Sequence, residues 1–299
     1  MTSENNTVRA TLIGSTAVLM WGTLALFTTW TGKVPPFQLT AMSFGIAFLL
    51  MATKWVTKGE RARDHLHQPA AAWVLGVLGL FGYHFFYFMA LRNAPPVEAG
   101  LIAYLWPLLI VVFSALLPGE RLRWFHVAGA LMGLFGTILL VTRGGTIAFD
   151  PAHLLGHGAA LVCALTWSGY SILSRKFGSV PTDAVGWFCG ATALLAVPCH
   201  LAFETTVWPA TTGEWIAVVA LGLGPVGAAF FTWDHGVKHG DIQVLGAFSY
   251  AAPLISTLLL IAFGQGEATP LVAVACLLIV GGALLASQSM LKRRTRVAA

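Results

Sequence analysis

The chain of 299 residues has few charged side chains, since Asp, Glu, Lys and Arg make up only 10% of it. Soluble domains carry about 25%. Its hydrophobic residues, 57% of the total, form apolar runs of about 20 residues, each long enough to cross a hydrocarbon core about 30 Å thick. This composition excludes soluble enzymes, disordered chains and free nucleic-acid-binding proteins. The sequence therefore predicts a polytopic membrane protein.

The chain also lacks the motifs of common ATP-binding and catalytic sites. It contains no GxxxxGK[ST], HExxH or GxSxG sequence, and no pair of carboxylates lies inside an apolar run. The four cysteines match no metal-binding or CxxC spacing. We therefore expect no enzyme, no cofactor and no metal ion. The first apolar run is not followed by small residues typical of a cleavage site, which argues against a removable signal peptide.

Pro, Gly and charged clusters divide the chain into ten apolar segments, and backbones surrounded by lipid must form helices. The predicted fold class is an all-α membrane protein with ten transmembrane helices. We number the segments 1 to 10, and they cover residues 10–31, 36–53, 71–91, 95–117, 124–141, 154–177, 182–203, 214–237, 242–263 and 270–291.

The distribution of Lys and Arg between the loops predicts the orientation, because cytoplasmic loops are enriched in both. With the N-terminus in the cytoplasm, only three of the 17 basic residues lie outside, namely Lys33, Arg92 and Arg143. The fourteen on the inner side are Arg9, Lys54, Lys58, Arg61, Arg63, Arg121, Arg123, Arg175, Lys176, Lys238, Lys292, Arg293, Arg294 and Arg296. Both termini are therefore predicted to be cytoplasmic.

Identical residues recur at a constant offset of 146 residues. The matching pairs are Trp21 and Trp167, Val34-Pro35 and Val180-Pro181, Gly100 and Gly246, Tyr104 and Tyr250, Pro107-Leu108 and Pro253-Leu254, and Gly136 and Gly282. We infer a duplication into two repeats, residues 1–146 and 147–299. Because each repeat has five helices, an odd number, the second enters the membrane from the opposite side. Inverted repeats are typical of secondary transporters that work by alternating access, although duplicated folds also occur in channels and non-transporting proteins.

Segment 3 has a polar aromatic face formed by Tyr83, His84 and Tyr87, which lie within an arc of about 100° on a helix. Burying such groups in hydrocarbon without partners costs several kcal/mol each. The face should therefore meet water, a substrate or another helix. His84 is the only ionisable residue deep inside a segment, which makes it a functional candidate.

Three tryptophans, Trp21, Trp106 and Trp167, fall inside segments rather than at their ends, where tryptophans commonly anchor to the membrane interface. They line a cavity or pack against lipid, and we favour the cavity. Segment 4 adds Tyr104 to the candidate substrate-binding residues.

Two prolines are candidates for helix kinks that take part in gating. Pro107 in segment 4 and Pro253 in segment 9 each remove a backbone hydrogen bond, and Tyr250 precedes Pro253 as Tyr104 precedes Pro107. The alternative is that these prolines only shape the bundle.

Charged residues near the end of segment 8 allow two interpretations. They are Asp234, His235, Lys238, His239 and Asp241. A solvated loop is the simpler interpretation, and an inner gate is the alternative.

The predicted cavity contains Trp, Tyr and His but no Lys or Arg, which disfavours anionic substrates. Segment 1 has no acidic residue, which disfavours proton exchange for cationic drugs at that position. The residues suit a neutral or zwitterionic molecule with an apolar or aromatic side chain. A broad-specificity metabolite or drug exporter and a non-transporting receptor or assembly subunit remain as alternatives.

The ten-segment pattern, the repeat and these residues resemble the drug/metabolite transporter superfamily with its EamA-type repeats. Trp21-Gly22, Tyr83-His84-x-x-Tyr87 and Tyr104-x-Trp106-Pro107-Leu108 resemble YddG-type aromatic amino-acid exporters. The resemblance covers essentially the whole chain. It implies export of aromatic and other apolar amino acids across a bacterial inner membrane, through a cavity between segments 1, 3, 4, 6 and 8. The expected partners are this small-molecule substrate and membrane lipid, with no nucleic acid and no protein partner, so that the protein is a monomer.

Overall fold

All ten predicted segments are helical in the computed structural model, which describes residues 2–145 and 150–288. These described residues contain no strand. In order from segment 1 to segment 10, the helices are Thr2–Trp21 with Leu24–Trp30, Pro36–Lys58, Ala70–Val77 continued through Leu78–Gly82 to Tyr83–Asn93, Pro96–Ala103 with Trp106–Phe113, Trp124–Thr142, Leu154–Ser174, Ala184–Phe203, Thr212–Leu223 continued through Gly224–Ala228 to Ala229–His239, Ile242–Phe248 with Ala251–Ala262, and Pro270–Ala286.

Eight of these segments are long and apolar enough to cross a membrane, so the chain is a multi-pass membrane protein. The two others are segment 6 and segment 10. Segment 10 is apolar, but its helix has only 17 residues. Segment 6 has 21 residues, but polar side chains that include Ser168, Ser171 and Ser174 lower its hydropathy, and all three are buried inside the bundle.

Segments 3, 4, 8 and 9 depart from regular helix at positions that repeat along the chain. A π-helical turn spans Leu78–Gly82 in segment 3, and another spans Gly224–Ala228 in segment 8, 146 residues later. Segment 4 is interrupted at Tyr104 and Leu105, and segment 9 at Ser249 and Tyr250. The interruptions end two residues before Pro107 and three residues before Pro253.

Segment 1 differs from the prediction, which placed one unbroken helix over residues 10–31. The helix begins at Thr2 and is broken at Gly22 and Thr23. Gly22 lies so close to segment 9 that a Cβ there would be 2.5 Å from Cγ2 of Ile255. This contact is between residues distant in the sequence, so the local pattern did not reveal the break. The equivalent part of segment 6 is a continuous helix.

The two repeats interlock, because the most extensive contacts pair segments of different repeats. Segment 5 packs on 10, 2 on 7, 1 on 8 and 3 on 6. A shift by five segments converts the pair 1 and 8 into the pair 6 and 3, and it maps each of the other two pairs onto itself. A Cβ at Gly129 would lie 2.4 Å from the Gly282 carbonyl oxygen, so small residues allow segments 5 and 10 to approach closely. The inner-facing residues of both repeats thus share one core.

Candidate substrate-binding site

Four tryptophans meet at the centre of the bundle. The Trp21 ring lies 5.6 Å from Trp167, 6.1 Å from Trp106 and 5.0 Å from Trp233, measured between ring centroids. The Trp21–Trp106 and Trp21–Trp167 pairs are edge-to-face, an arrangement that contributes about 0.5–1.5 kcal/mol per pair beyond simple burial. Trp21 lies just before a helix break and Trp167 lies within a continuous helix. These two repeat mates nevertheless meet in one place.

The polar aromatic face of segment 3 joins this group. The Tyr83 ring lies 5.7 Å from Trp167 and is parallel to Tyr87 at 6.1 Å. His84 is edge-to-face with Tyr83 at 5.4 Å. Tyr104 lies near both Tyr83 and Tyr87. The structure thus brings together all seven residues that the sequence proposed for substrate binding.

The π-helical turns orient two of these side chains. In segment 3, His84 Nδ1 lies 2.7 Å from the Leu80 carbonyl oxygen. In the turn of segment 8, the Pro225 carbonyl oxygen accepts a hydrogen bond of 3.1 Å from Trp21 Nε1 of segment 1. A carbonyl oxygen can only accept, so His84 Nδ1 carries the proton and the Nε2 atom of a neutral imidazole is left as an acceptor.

The group has a buried layer and a more accessible one. Trp106 and Trp167 are only 6% and 3% exposed. Trp21, Tyr83, His84, Tyr87 and Tyr104 are all half-buried. The two buried tryptophans therefore support the rings that a small molecule would meet.

Sequence reasoning missed Phe44, Phe230 and Trp233, which complete the group. Phe230 lies 5.6 Å from Trp167 and stacks on Phe44 at 5.4 Å. The offset of 146 residues relates Phe230 to His84 and Trp233 to Tyr87. Applying the repeat to the segment 3 face would have found these two, whereas Phe44 has a glycine as its mate and gave no such signal.

Tyr250 and its mate Tyr104 have different surroundings. Tyr250 is fully buried, and its hydroxyl oxygen accepts a hydrogen bond of 3.2 Å from the Leu108 backbone N–H. Its ring also packs against Gly133 of segment 5. Tyr250 thus lies away from the tryptophan group and holds segment 4 just after Pro107.

A second pair of mates differs in the same way. A Cβ at Gly246 would lie 2.9 Å from Val111 Cγ2 and 3.1 Å from the Pro107 carbonyl oxygen. A Cβ at Gly100 would have no other atom within 4 Å, apart from its own stretch of helix. The first half of segment 9 therefore packs tightly on segment 4, while the equivalent contact between segment 4 and the second half of segment 9 is absent among the described residues.

We call the end of the bundle at which Lys58, Arg123 and Lys238 lie the basic end. Polar contacts join several segments there. Asp234 and Lys238 form an ion pair of 2.9 Å whose side chains are 3% and 4% exposed. Thr182 donates to Asp234 at 2.7 Å, and Lys238 donates to the Val180 carbonyl oxygen at 3.0 Å. The solvated-loop interpretation is therefore wrong for Asp234 and Lys238.

Two further ion pairs at the basic end link the repeats. Arg175 of segment 6 pairs with Glu120 at 2.8 Å, and Lys54 of segment 2 pairs with Asp183 beside segment 7. These contacts and the packing at Gly246 join the two repeats at the basic end.

A cavity of about 200 Å³ lies at the opposite end, lined by Pro36, Phe37, Phe88, Leu91, Arg92 and Glu204. The Phe88 ring lies 6.1 Å from His84. This single ring therefore touches both the central aromatic group and the cavity.

The sequence model of the EamA-like transporter family matches residues 8–142 and again residues 154–288. The chain belongs to this family. The starts and the ends of the two matches both differ by 146 residues, so the family's domain occurs twice in the chain at the offset seen in the sequence. Membership in the EamA-like transporter family makes the chain a transporter rather than an enzyme, and it confirms the resemblance to the drug/metabolite transporter superfamily.

Similar proteins are known from bacteria. The aromatic amino acid exporter YddG of Ancylobacter novellus is 57% identical over 286 residues, which cover 95% of this chain and 98% of that protein. The protein of the same name from Salmonella typhimurium is 26% identical and covers 87% and 88% of the two chains. One solved crystal structure is 56% identical, with a TM-score of 0.89 over 93% of this chain and 97% of its own.

Proposed function

We propose that this transporter exports aromatic and other apolar amino acids from the cytoplasm. The observation that carries the proposal is a group of half-buried side chains at the centre of the bundle, formed by Trp21, Tyr83, His84, Tyr87 and Tyr104. None of these side chains is a Lys, Arg, Asp or Glu, so the group suits a molecule whose own charges balance. The YddG exporters similar to this chain support the same substrate class.

The aromatic side chain of the substrate packs against the rings of this group. Trp106 and Trp167 are more deeply buried and pack behind these rings. His84 Nε2 accepts a hydrogen bond from the substrate's ammonium group, since Nδ1 is already engaged with Leu80. The tyrosine hydroxyls donate to the carboxylate. These contacts recognise the backbone of an amino acid, and the rings select among side chains.

The chain crosses the inner membrane ten times as a monomer, with both termini in the cytoplasm. Support for this orientation comes from the fourteen-to-three distribution of Lys and Arg, which makes the basic end the inner end. Part of the count, Lys292 to Arg296, lies outside the described residues. Segments 6 and 10 complete the ten crossings, and each packs along a segment of the other repeat.

The orientation is testable with single cysteines at two exposed threonines, Thr57 and Thr211, in a background without the four native cysteines. A membrane-impermeant thiol reagent should label Thr57→Cys only from the cytoplasmic face and Thr211→Cys only from outside. Labelling of both from one face would contradict ten crossings.

Transport proceeds by alternating access between the inverted repeats. The differences between repeat mates support this mechanism, because a pseudo-symmetric pair of repeats in two conformations exposes the site to one side only. Here a Cβ at Gly246 would press against segment 4 and Tyr250 is fully buried, while a Cβ at Gly100 would meet no other segment and Tyr104 is half-buried. This arrangement corresponds to a state closed at the inner end and open at the outer end.

The function is tested by efflux of labelled amino acids from liposomes that contain only this protein. Phenylalanine and tryptophan should leave faster than from protein-free liposomes, and glutamate and lysine should not. A uniform profile across amino acids and unrelated drugs would favour the broad-specificity exporter. Absence of any flux from well-sealed liposomes would favour a non-transporting receptor or assembly subunit.

A further inference from the structure

Two histidines and a glutamate from different repeats meet at the outer end of the bundle. Glu98 lies in the first turn of the helix Pro96–Ala103, and His157 lies in the first turn of Leu154–Ser174. His157 Nε2 is 2.6 Å from Glu98 Oε2, and His153 Nδ1 is 3.7 Å from the same oxygen. The side chains of Glu98 and His157 are 13% and 15% exposed, and that of His153 is 35% exposed.

The backbone holds these residues at a fixed separation. Gly156 lies against the corner between segments 3 and 4, where a Cβ would be 2.5 Å from Ala94 Cβ and 2.6 Å from the Asn93 carbonyl carbon. Only glycine allows so close an approach. The first turn of segment 6 is therefore fixed against the residues that lead into segment 4 and Glu98.

The donor set is one that zinc binds in proteins. Two imidazoles four residues apart at the start of segment 6, with one carboxylate, supply three ligands and leave the fourth position of a tetrahedral site to water. With bonds of about 2.0–2.2 Å, tetrahedral ligand atoms lie about 3.3 Å apart. The observed separations of 2.6 and 3.7 Å lie on either side of this value, so small side-chain rotations would accommodate an ion.

His153 gives a second, independent indication. Its Nδ1 atom is buried without a hydrogen-bond partner among the described residues, although it points to Glu98. A buried polar atom without a partner destabilises the folded protein. A bound cation would supply that partner.

A similar trio lies at the basic end, formed by Glu60, His65 and Asp183, but it is not free to bind a metal ion. The Lys54 ammonium already pairs with Asp183, and the His65 ring stacks on Trp55 at 5.4 Å. A positive charge therefore occupies the place that a metal ion would need. This trio provides a matched control.

We propose that Glu98, His153 and His157 form a binding site for a zinc-type divalent transition-metal ion. Because Glu98 belongs to the first repeat and both histidines to the second, the bound ion links segments 4 and 6. The ion should stabilise the folded protein, since a ligand that binds only the folded state raises its stability by mass action.

The test uses the full-length protein, purified in detergent with its affinity tag removed and stripped with a chelator. Titration with Co²⁺ should give the visible absorption of a tetrahedral site with one equivalent bound, and Zn²⁺ should displace it. Calorimetry with ZnCl₂ gives the affinity, and a melting curve with and without Zn²⁺ gives the stabilisation.

The variants Glu98→Gln, His153→Gln and His157→Ala should each weaken Zn²⁺ binding at least tenfold and abolish the rise in Tm. His65→Ala and the exposed His67→Ala should bind Zn²⁺ as the native chain does. His153→Gln changes the most exposed of the three ligands, so its fold should survive, and its Tm without metal verifies this. Unchanged binding in Glu98→Gln and His153→Gln, loss of binding in His65→Ala, or no saturable binding by the native chain would overturn the proposal.

Discussion

His84 is the residue whose surroundings most constrain the transport mechanism. Its Nδ1 atom is held by the Leu80 carbonyl oxygen of the π-helical turn, and its ring packs edge-to-face on Phe44 at 5.1 Å. No carboxylate is among these neighbours. The arrangement favours a neutral hydrogen-bonding role over transfer of a coupled proton.

We therefore expect His84→Gln, which keeps a donor and an acceptor, to retain part of the efflux of phenylalanine from liposomes. His84→Ala should lose most of it, because the substrate ammonium then lacks its acceptor. Binding measured by calorimetry should fall in the same order. A Gln variant that binds normally and loses only its response to an imposed pH gradient would show instead that His84 carries a coupled proton.

Trp106 and Trp167 are buried beneath the accessible rings, so replacing either by Ala should weaken the binding of aromatic substrates. The expected loss is about 0.5–1.5 kcal/mol beyond lost burial, or about 2- to 12-fold in Kd. A threonine-like substrate should lose less, since it offers no ring. Trp30→Ala is the control, because Trp30 packs on Phe263 at 5.3 Å, where segments 1 and 9 end. Equal losses for both substrate classes would mean that the variants only disturb packing.

At the scale of elements, the sequence predicted where helices lie better than where they break. Apolar runs bounded by Pro and Gly located every segment, because length and hydropathy are local properties. The break at Gly22 and the π-helical turns depend on contacts between distant residues, such as Gly22 with Ile255 and Trp21 with Pro225. Local patterns do not contain these contacts.

The charged residues of segment 8 illustrate the same limit. Asp234 and Lys238 are four residues apart near a helix end, a pattern that also occurs on solvated surfaces. Their burial results from the chain around Val180 and Thr182, which accepts from Lys238 and donates to Asp234.

This burial leads to a stability prediction. Asp234→Asn leaves the Lys238 ammonium buried without a carboxylate, which should destabilise the protein by about 3–5 kcal/mol. The double variant Asp234→Leu with Lys238→Met removes both charges and should recover most of the loss. Chemical or thermal unfolding in detergent measures the difference, with the exposed Glu60→Gln as control. An Asp234→Asn variant as stable as the native chain would contradict a buried pair.

At the scale of the whole molecule, the internal repeat was the sequence feature that best predicted which residues form the site. The offset of 146 residues predicted that Trp21 and Trp167 occupy equivalent places, and they meet at 5.6 Å. The same offset applied to His84 and Tyr87 leads to Phe230 and Trp233. It could not predict how the mates differ, because the difference is a property of one conformation rather than of the sequence.

The different surroundings of Gly100 and Gly246 allow a test of alternating access. In this conformation a side chain at Gly100 has free space, whereas Gly246 lies against Val111 and the Pro107 carbonyl oxygen. If the repeats exchange roles in an opposite conformation, as the proposed alternating access requires, Gly100 would pack against Thr257 and the Pro253 carbonyl oxygen. A large side chain at position 100 should therefore fit one conformation and obstruct the other.

We accordingly expect Gly100→Leu to fold with a native Tm and to bind substrate from the outer side, yet to lose most of its efflux from liposomes. Gly158→Leu is the matched control. Gly158 also has no atom within 4 Å of a Cβ, but its repeat mate is Leu12, which is 52% exposed, so that position accepts a leucine in either conformation. It should transport normally. If Gly100→Leu transported as well as Gly158→Leu, the contact at Gly246 would have no counterpart at Gly100 during the cycle, and alternation by exchange of the two repeats would be wrong.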